Sequence, residues 1–273
     1  MVVLSCTVRG CGRPLAHDAA GLRCGAGHAF DLAREGYWNL LQPQDRRSTA
    51  AGDAAAVVEA RRRWAERGRF DPLLDALVEW VQALGLPAGA VVVDCGCGEG
   101  AVLARLAAVL DLRACGIDIS VPAIRRACRR LPGATWVVAN ADRRLPLGDA
   151  SVHLLLSVFG RRNGPEFHRV LQPGGRLLAI VPGEDDLIEL RAAILGRPLR
   201  LERAGRARTA LAPWLEPLEQ RQVRVRARLD REGIEEALAL TYRGARQSQR
   251  ARTERLEALD VTLSSDLLLF RPA

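Results

Sequence analysis

The sequence has 273 residues, enough for one large domain with a small appendage. Hydrophobic residues make up 48% of it and charged residues 26%, as in ordinary soluble globular proteins, and no apolar run approaches the roughly 20 residues of a membrane span. The net charge is +8, and because lysine is absent every basic side chain other than histidine is an arginine. This basic balance is compatible with a nucleic-acid partner, since arginine forms paired hydrogen bonds with phosphate, and also with a generally basic, solvated surface.

The cysteine content and the N-terminus favour a reducing compartment. Seven cysteines are an odd number, and Arg9 and Arg13 interrupt the apolar N-terminal stretch that a secretory signal would need. We therefore expect a cytoplasmic protein whose cysteines bind metal or fill the core instead of pairing as disulfides.

The first 41 residues contain four residues with metal-ligand spacing. Four residues separate the first two cysteines and three separate the last cysteine from the histidine; the four are Cys6, Cys11, Cys24 and His28. Zinc is held tetrahedrally by such a set, and a segment this short has too little core to fold without a staple. The sequence therefore predicts a structural zinc site, with unmetallated small residues as the alternative and His17 as a possible replacement ligand.

Two helices are expected to follow the metal segment. Residues 42–52 are predicted to be a polar linker, and Asp53 is a candidate cap for a helix that runs to about Arg67. Asp71 is predicted to cap a second helix, with Pro72 in its first turn. We divide the chain into a zinc-binding module (1–41), a linker with a helix (42–70) and a larger domain (71–273).

Strands and helices then alternate. The predicted strands are 90–94, 114–118, 135–138, 152–159 and 176–182, and the predicted helices are 100–110, 121–130 and 165–171, with a turn at 173–175. Beyond residue 195 the pattern is weaker, with an alternating strand at 221–229, a helix at 230–242 and a strand at 261–270. This alternation predicts an α/β fold, a doubly wound, Rossmann-like sheet that binds its ligand at the carboxyl ends of the strands.

The turn after the first of these strands is typical of an S-adenosylmethionine (AdoMet) site. Gly96, Gly98 and Gly100 lie between a strand and a helix, where the backbone can approach a ligand closely. Asp94 ends that strand, and Asp118 ends the next one, where an acid can accept both ribose hydroxyls. The segment 140–142 falls where adenine contacts are expected. A nicotinamide enzyme shares this turn but needs a second half that the sequence lacks. Cys95 and Cys97 are either reactive thiols or, as we expect, small core residues.

Several further motifs carry a resemblance to a known family. They are Gly27-His28-Ala29-Phe30-Asp31, Glu35-Gly36-Tyr37-Trp38-Asn39-Leu40-Leu41, Glu59-Ala60-Arg61-Arg62, Gly68-Arg69-Phe70, the glycine turn, 156–163, Pro165-Glu166 and Pro173-Gly174-Gly175. Over nearly its whole length the chain resembles the 23S ribosomal RNA guanine-N1 methyltransferases of the RlmA/TlrB type, and among them the macrolide-resistance branch.

The resemblance implies a class I AdoMet-dependent methyltransferase with a structural zinc, in which the module 1–41 recognises RNA and residues 71–273 form the methyltransferase domain. Its substrate would be a guanine N1 in a hairpin of 23S rRNA near the peptide exit tunnel. The residues expected to bind AdoMet are Phe70, Asp94, Gly96, Gly98, Glu99, Gly100, Asp118, Asn140, Ala141 and Asp186. No membrane partner is expected, and a homodimer is a possible assembly.

The identity of the catalytic base is left open. Guanine N1 carries a proton, so transfer needs a base, for which Asp142, Asn163 and Glu166 are candidates. A base extruded from a hairpin could contact Phe159, for which a core position is the alternative, and five arginine groups could bind phosphates: 61–63, 125–126, 129–130, 161–162 and 224–228.

Two departures from the family keep other functions open. The first metal turn is two residues longer than the usual CxxC, and Gly160-Arg161 replaces the usual Ala-Pro beside the acceptor pocket. The alternatives are an AdoMet-dependent methyltransferase of a small molecule and a non-catalytic RNA-binding protein.

Overall fold

The N-terminal segment forms a small sheet that packs on the rest of the protein. The computed structural model describes residues 2–18, 21–45, 55–241 and 256–273. The small sheet is antiparallel, in the order β1-β2-β3, with strands Leu15–Asp18 (β1), Gly21–Cys24 (β2) and Ala29–Phe30 (β3). These strands are too short to enclose a core, and Leu15 and Leu22 are buried in the same apolar cluster as Leu145 and Leu147.

The main sheet has eight strands in the order β10-β11-β9-β8-β5-β6-β7-β4. The strands are Tyr37–Asn39 (β4), Ala90–Cys95 (β5), Leu112–Asp118 (β6), Thr135–Val138 (β7), Val152–Val158 (β8), Leu171–Pro182 (β9), Leu215–Asp230 (β10) and Ala258–Pro272 (β11). Strands β4 to β9 pair in parallel, whereas β11 runs antiparallel to both β9 and β10. All six residues of β5 are buried, as expected of a strand covered on both faces.

Eight helices lie in the described ranges, together with a 3₁₀ turn at Pro43–Asp45. They are Ala55–Glu66 (α1), Asp71–Ala83 (α2), Ala101–Ala107 (α3), Val121–Arg130 (α4), Gly164–Val170 (α5), Ile188–Leu195 (α6), Ala204–Leu211 (α7) and Arg231–Thr241 (α8). Side chains of α2, α3 and α4 pack on one face of the sheet, and those of α5, α7 and the small N-terminal sheet pack on the other. Among these helices, none has the length and apolar character needed to cross a membrane.

A third apolar cluster forms a cover above the carboxyl ends of the strands. It joins Trp64 of α1, Leu190 of α6 and Ile234 of α8 to Leu229 and Val261 at the ends of β10 and β11. Helix α1 thus packs against the C-terminal part of the chain, although 165 residues or more separate them in sequence.

Trp136 of β7 fixes the glycine turn from beneath. A Cβ atom added at Gly100 would lie 2.4 Å from this fully buried indole, and one added at Gly116 would lie 2.1 Å from it. Gly100 also has a positive φ of 72°. The absence of a side chain at both positions lets the turn and the neighbouring strand β6 close over the indole.

The structure confirms the predicted class I methyltransferase fold and corrects several details. Asp71 is the first helical residue and Phe70 occupies the cap position, without a side-chain cap hydrogen bond. The turn predicted at 173–175 lies within β9. The helices α6 and α7 were not predicted, because their apolar residues do not follow a regular pattern in the sequence. The cap predicted at Asp53 lies outside the described residues. Strand β4, within the predicted 1–41 module, joins the main sheet; the division of the chain remains a prediction.

Candidate functional site

The four predicted metal ligands converge at one end of the small sheet. The ligand atoms of Cys6, Cys11, Cys24 and His28 all lie within 4.8 Å of one another. His28 Nδ1 lies 3.5 Å from Cys6 Sγ and 3.4 Å from Cys24 Sγ, and the Sγ atoms of Cys11 and Cys24 are 3.8 Å apart. A tetrahedron with Zn–S bonds of about 2.3 Å has ligand separations of roughly 3.7 Å, so the spacing suits zinc.

This cluster has the character of a structural zinc site. Four protein ligands complete the tetrahedron, and none of them lines the large cleft described below. The longer first turn is accommodated by Gly10 and Gly12, which have positive φ angles of 76° and 63°. His17 takes no part, since its ring contacts the Trp38 ring edge-on at 5.5 Å between centroids. None of the seven cysteines, all of which are described, forms a disulfide.

A cleft of about 1080 Å³ opens at the carboxyl ends of the parallel strands. Its walls come from the residues that follow β5, β6, β7, β8 and β9, and its roof from α1, α8 and the strand β10. Residues distant in sequence meet here because parallel strands end at the same edge of a sheet.

Two acidic residues lie in the middle of this cleft. Asp94 is 1% exposed, and within the described part of the chain its Oδ1 atom has no hydrogen-bond partner. Burial, together with the charge of Asp118, raises the pKa of Asp94 to about 8. The Asp118 oxygens accept hydrogen bonds from the backbone N–H groups of Gly98 (2.9 Å) and Ser120 (2.8 Å). Each carboxylate oxygen has two lone pairs, so both can also accept a ligand hydroxyl.

The glycine turn has two functions. Gly96 and Gly98, with positive φ angles of 84° and 53°, line the cleft, where an added Cβ would project toward Gly160 and Arg61. Gly100 does not line the cleft and instead faces Trp136. Glu99 lines the cleft and lies 3.8 Å from Arg126 and 3.7 Å from Arg130 of α4.

The cysteines of the turn are core residues. Burial raises the pKa of the Cys95 and Cys97 thiols well above the ordinary cysteine value, so neither has the thiolate character of a nucleophile. This supports the core interpretation over the reactive one.

Only one of the three predicted base candidates lines the cleft. Asp142 does so, with its Oδ2 atom 3.7 Å from Arg161 Nε. Asn163 Nδ2 donates instead to the carbonyls of Ala141 and Arg143, both at 2.9 Å, and thereby fixes the loop that carries Asp142.

Glu166 likewise has a structural environment. Its Oε2 atom accepts a hydrogen bond from Leu145 N at 2.7 Å, and its Oε1 atom accepts one from Arg169 Nε at 2.8 Å. Both oxygens are therefore engaged outside the cleft. Residue type alone does not show whether a polar side chain acts as a base, which is why Asn163 and Glu166 were among the candidates predicted from the sequence.

The wall of the cleft that contains Phe159 is aromatic and basic. Phe159 is 43% exposed and holds a left-handed backbone (φ 53°), which is costly for a residue with a side chain. Its ring lies 6.4 Å from Phe70, which lies 6.4 Å from Trp64. Because Phe159 is exposed, the alternative of a core position is wrong.

Gly160 allows the backbone after Phe159 to fold back onto β5. A Cβ added there would lie 2.8 Å from the carbonyl oxygen of Cys95 and 2.9 Å from Ser157 Oγ. The departure from the family pattern at this position therefore accompanies a close contact between this loop and the glycine turn.

Asp186, after β9, lies on this same side of the cleft. Its Oδ1 atom accepts a hydrogen bond from Ser264 N at 3.0 Å. Burial raises the pKa of Asp186 to about 6, against the lowering effects of that hydrogen bond and of Arg191 and Arg203. A carboxyl group with such a pKa changes its protonation near neutral pH.

The cleft also includes residues that the sequence did not assign to it. They are Trp64, Ala65 and Arg69 near the end of α1, Arg203 and Arg206 at the start of α7, and Ala237, Leu240 and Thr241 on α8. Arg61, which the sequence placed only among possible phosphate ligands, lies near Gly98: a Cβ added at Gly98 would be 3.6 Å from Arg61 Nη1. These positions depend on tertiary packing, and no local pattern marks them.

Two family models match separate parts of the chain. A family model described as "Methyltransferase domain" matches residues 92–175, and one described as "RlmA, N-terminal" matches residues 5–49. The first match contains β6, β7 and β8, which are followed by residues of the cleft, and the second contains all four ligands of the metal cluster.

Two curated relatives are similar over nearly the full length. The "23S rRNA (guanine(748)-N(1))-methyltransferase" of Streptomyces fradiae is 37% identical over 96% of this chain and 95% of its own. The "Putative 23S rRNA (guanine-N(1)-)-methyltransferase" of Micromonospora griseorubida is 41% identical over 98% of this chain and 97% of its own.

Solved structures share the fold at low identity. The YcgJ protein of Bacillus subtilis superposes with a TM-score of 0.51 at 11% identity, over 72% of this chain and 96% of its own. The [4+2]-cyclase SpnF superposes with a TM-score of 0.50 at 20% identity, over 72% and 80% respectively. Since a cyclase has this fold, the fold alone does not specify methyl transfer.

The cofactors of the protein are AdoMet and a structural zinc, and the chemistry of the cleft suits AdoMet as that of the cluster suits zinc. The buried, unpartnered oxygen of Asp94 suits a cationic amino group, Asp118 suits a diol, and the side-chain-free turn at Gly96 and Gly98 suits close approach of a ligand. Bound AdoMet supplies an electrophilic methyl group on a sulfonium.

Cys24→Ser should remove the zinc. We expect the content to fall from about one zinc per chain to near none, and the unfolding temperature to drop, because three ligands hold zinc poorly and the small sheet has little core of its own. Metal analysis and thermal unfolding measure both. Cys128→Ser, at a buried cysteine outside the cluster, is the matched control and should retain its zinc. Unchanged zinc in Cys24→Ser would refute the site.

Proposed function

Because the chain belongs to the family of 23S rRNA guanine-N1 methyltransferases, we propose that it methylates N1 of a guanine in a 23S rRNA hairpin near the peptide exit tunnel. The observation that carries this proposal is the joint presence, in one chain, of the Cys/His cluster and the acidic, glycine-lined cleft. A ribosomal substrate entails a cytoplasmic enzyme, and protection against a macrolide-type antibiotic is the proposed role. A homodimer remains a prediction.

The cofactor is proposed to lie along the ends of β5, β6 and β7. Asp118 would accept the ribose hydroxyls, and the segment 140–142 would contact adenine. The methionine end would lie over Gly96 and Gly98, with its amino group near Asp94. Its carboxylate would then lie close to Arg61, whose guanidinium is suited to paired hydrogen bonds.

The acceptor guanine is proposed to enter from the side of β8 and β9. The exposed Phe159 ring offers a surface on which an extruded base can stack. Four arginines lie on the same side of the cleft and can bind the flanking phosphates: Arg161, Arg162, Arg203 and Arg206. This basic wall favours RNA over a small-molecule acceptor, and the intact cofactor cleft argues against a non-catalytic binding protein.

Asp186 is our proposed base. Guanine N1 must lose its proton as the methyl group arrives, and Asp186 lies on the acceptor side with a pKa of about 6. The sequence placed it among the cofactor ligands instead. Asp142 lies at the end of β7, on the adenine side, and is exposed.

The function is tested with labelled AdoMet and either 23S rRNA or large ribosomal subunits. We expect label in the RNA and a single reverse-transcription stop, because a methyl group on N1 blocks base pairing at that guanine. Asp118→Ala should lose both signals by weakening cofactor binding. Label that never enters RNA would refute the proposed function, and a stop at a base other than guanine would refute the acceptor.

The pH dependence of turnover shows whether Asp186 acts as the base or as a cofactor ligand. A base must be deprotonated to accept a proton, so kcat should fall as the pH decreases through about 6. Asp186→Asn should lower kcat by about 100-fold, a typical contribution of a general base, and remove that acid limb. Asp142→Asn should retain it. If Asp186→Asn raises KM for AdoMet while kcat and the pH profile stay unchanged, Asp186 is a cofactor ligand and not the base.

Arg61→Ala should weaken only the binding of the cofactor's methionine end. We expect the affinity of the variant for S-adenosylhomocysteine to fall about tenfold, as for one lost charged hydrogen-bonding partner. Its affinity for 5′-methylthioadenosine, which has no carboxylate, should not change. Calorimetric titration of both ligands gives the comparison. Arg62→Ala is the control, since Arg62 pairs with Glu59 and Glu66 on α1. Equal losses for both ligands would contradict this orientation.

A further inference from the structure

A second cavity lies between the metal module and the main sheet. It has a volume of about 420 Å³, which lies in the range of small-ligand pockets. Its walls come from three segments: the first metal turn (residues 7–12), the chain at 40–45 and the loop after β7 at 139–144. Neither the zinc ligation nor the cofactor cleft requires this space.

The loop 140–144 is the wall that separates this cavity from the cofactor cleft. Ala141 and Asp142 line the cleft, Arg143 and Arg144 line the second cavity, and Asn140 lines both. Consecutive residues of one short loop therefore contact two adjacent binding spaces.

This loop is held in place from three directions. Asn163 Nδ2 donates to the carbonyls of Ala141 and Arg143, and Asn140 Nδ2 donates to the carbonyl of Asp45 at 2.9 Å. On the zinc side, a Cβ added at Gly12 would lie 3.1 Å from Arg144 Nε. The two spaces therefore have a fixed relation to each other.

The chemistry of the cavity suits a nucleotide. Val8 and Leu41, which are both partly exposed, provide apolar surface for a base. The charged residues of the lining are three arginines (Arg9, Arg143 and Arg144) and one carboxylate (Asp45). The ion pairs of Arg143 with Asp45 (3.5 Å) and of Arg144 with Asp149 (3.7 Å) are longer than charge-assisted hydrogen bonds, so donors remain for a phosphate.

We propose that this cavity binds a nucleotide that neighbours the target guanine, with its phosphate held by Arg9, Arg143 and Arg144. The inference rests on the proposed function. An RNA base that enters the cleft beside Arg161 lies close to the 140–144 loop, since Arg161 Nε is 3.7 Å from Asp142 Oδ2 and Asn163 donates to the carbonyls of Ala141 and Arg143. The strand can therefore continue across this loop, and its next nucleotide would then meet the second cavity. The metal module thereby contributes part of the substrate site, through Arg9 and the first metal turn.

The test uses the full-length protein with zinc bound, and 23S rRNA as the probe. Arg9→Ala and Arg144→Ala should each lower kcat/KM for the RNA about tenfold, as expected for one lost charged hydrogen-bonding partner. The negative slope of log K against log salt should decrease in magnitude by about 0.7 for each lost phosphate contact with single-stranded RNA. Arg113→Ala is the matched control. That exposed arginine lies at the amino-terminal end of β6, whereas the cavity lies beside the loop that follows the carboxyl end of β7.

A second variant tests the cavity itself without a change of charge. Val8→Trp should fill the space and lower RNA affinity to a similar extent. Zinc content and affinity for S-adenosylhomocysteine are measured for every variant and should equal those of the wild type, which separates loss of the nucleotide site from misfolding. A Val8→Trp protein that loses its zinc is replaced by Gln44→Trp, which fills the same cavity away from the cluster.

The outcomes distinguish this proposal from the proposed function. If the wild type methylates 23S rRNA and all cavity variants bind it as the wild type does, only the nucleotide site is overturned. If the wild type binds the RNA without methylating it, the proposed function fails, and the cavity is judged on binding alone. A wild type that neither binds nor methylates the RNA overturns both.

Discussion

The reversal of strand order at β5 is the constraint on which the rest of the structure depends. Strands β6 and β8 flank β5, and the chain leaves it in opposite directions along the sheet. A crevice necessarily opens at that point, between the loops that diverge from neighbouring strand ends. Asp94 lies at the bottom of this crevice with a buried, unpartnered oxygen, an arrangement that costs free energy unless a cationic or hydrogen-bonding ligand is present. On our proposal, binding of the cofactor amino group at Asp94 relieves this unfavourable feature of the fold.

The crevice becomes an enclosed cleft only through contacts between distant parts of the chain. Glu236 on α8 is 2% exposed and accepts a hydrogen bond from Arg69 Nη1 at 3.0 Å and one from Arg63 Nε at 3.2 Å. A buried charge that loses all its partners typically costs about 3–5 kcal/mol, so the buried carboxylate of Glu236 depends on these arginines. These pairs hold α1 and its neighbour Phe70 over the cofactor position. Residues from the linker and from the C-terminal third of the chain are therefore both parts of the cofactor site.

The parts of this structure that could be predicted from sequence are those with a local physical signature. Strands buried on both faces have continuous apolar runs, as in 152–159, and the glycine turn needs positive φ angles that mark it directly. The metal ligands could be predicted because their spacing reflects two local turns. The cover could not, since α6 and the contacts of α8 with α1 depend on partners far away in sequence. For the same reason residue type alone could not separate Asp142, which lines the cleft, from Glu166, whose oxygens are engaged elsewhere.

The loop 140–144 contacts both the cofactor cleft and the metal module. On its cleft side it is fixed by Asn163, and on the other side its Arg144 packs on Gly12, in the first metal turn beside the ligand Cys11. Zinc ligation fixes the conformation of that turn, so it also fixes one wall of the second cavity. Cys11 lines this cavity, whereas no zinc ligand lines the cofactor cleft. On our proposal the metal therefore acts on the position of the RNA and leaves the cofactor to the sheet, which explains why an enzyme with a complete cofactor cleft carries a separate metal module.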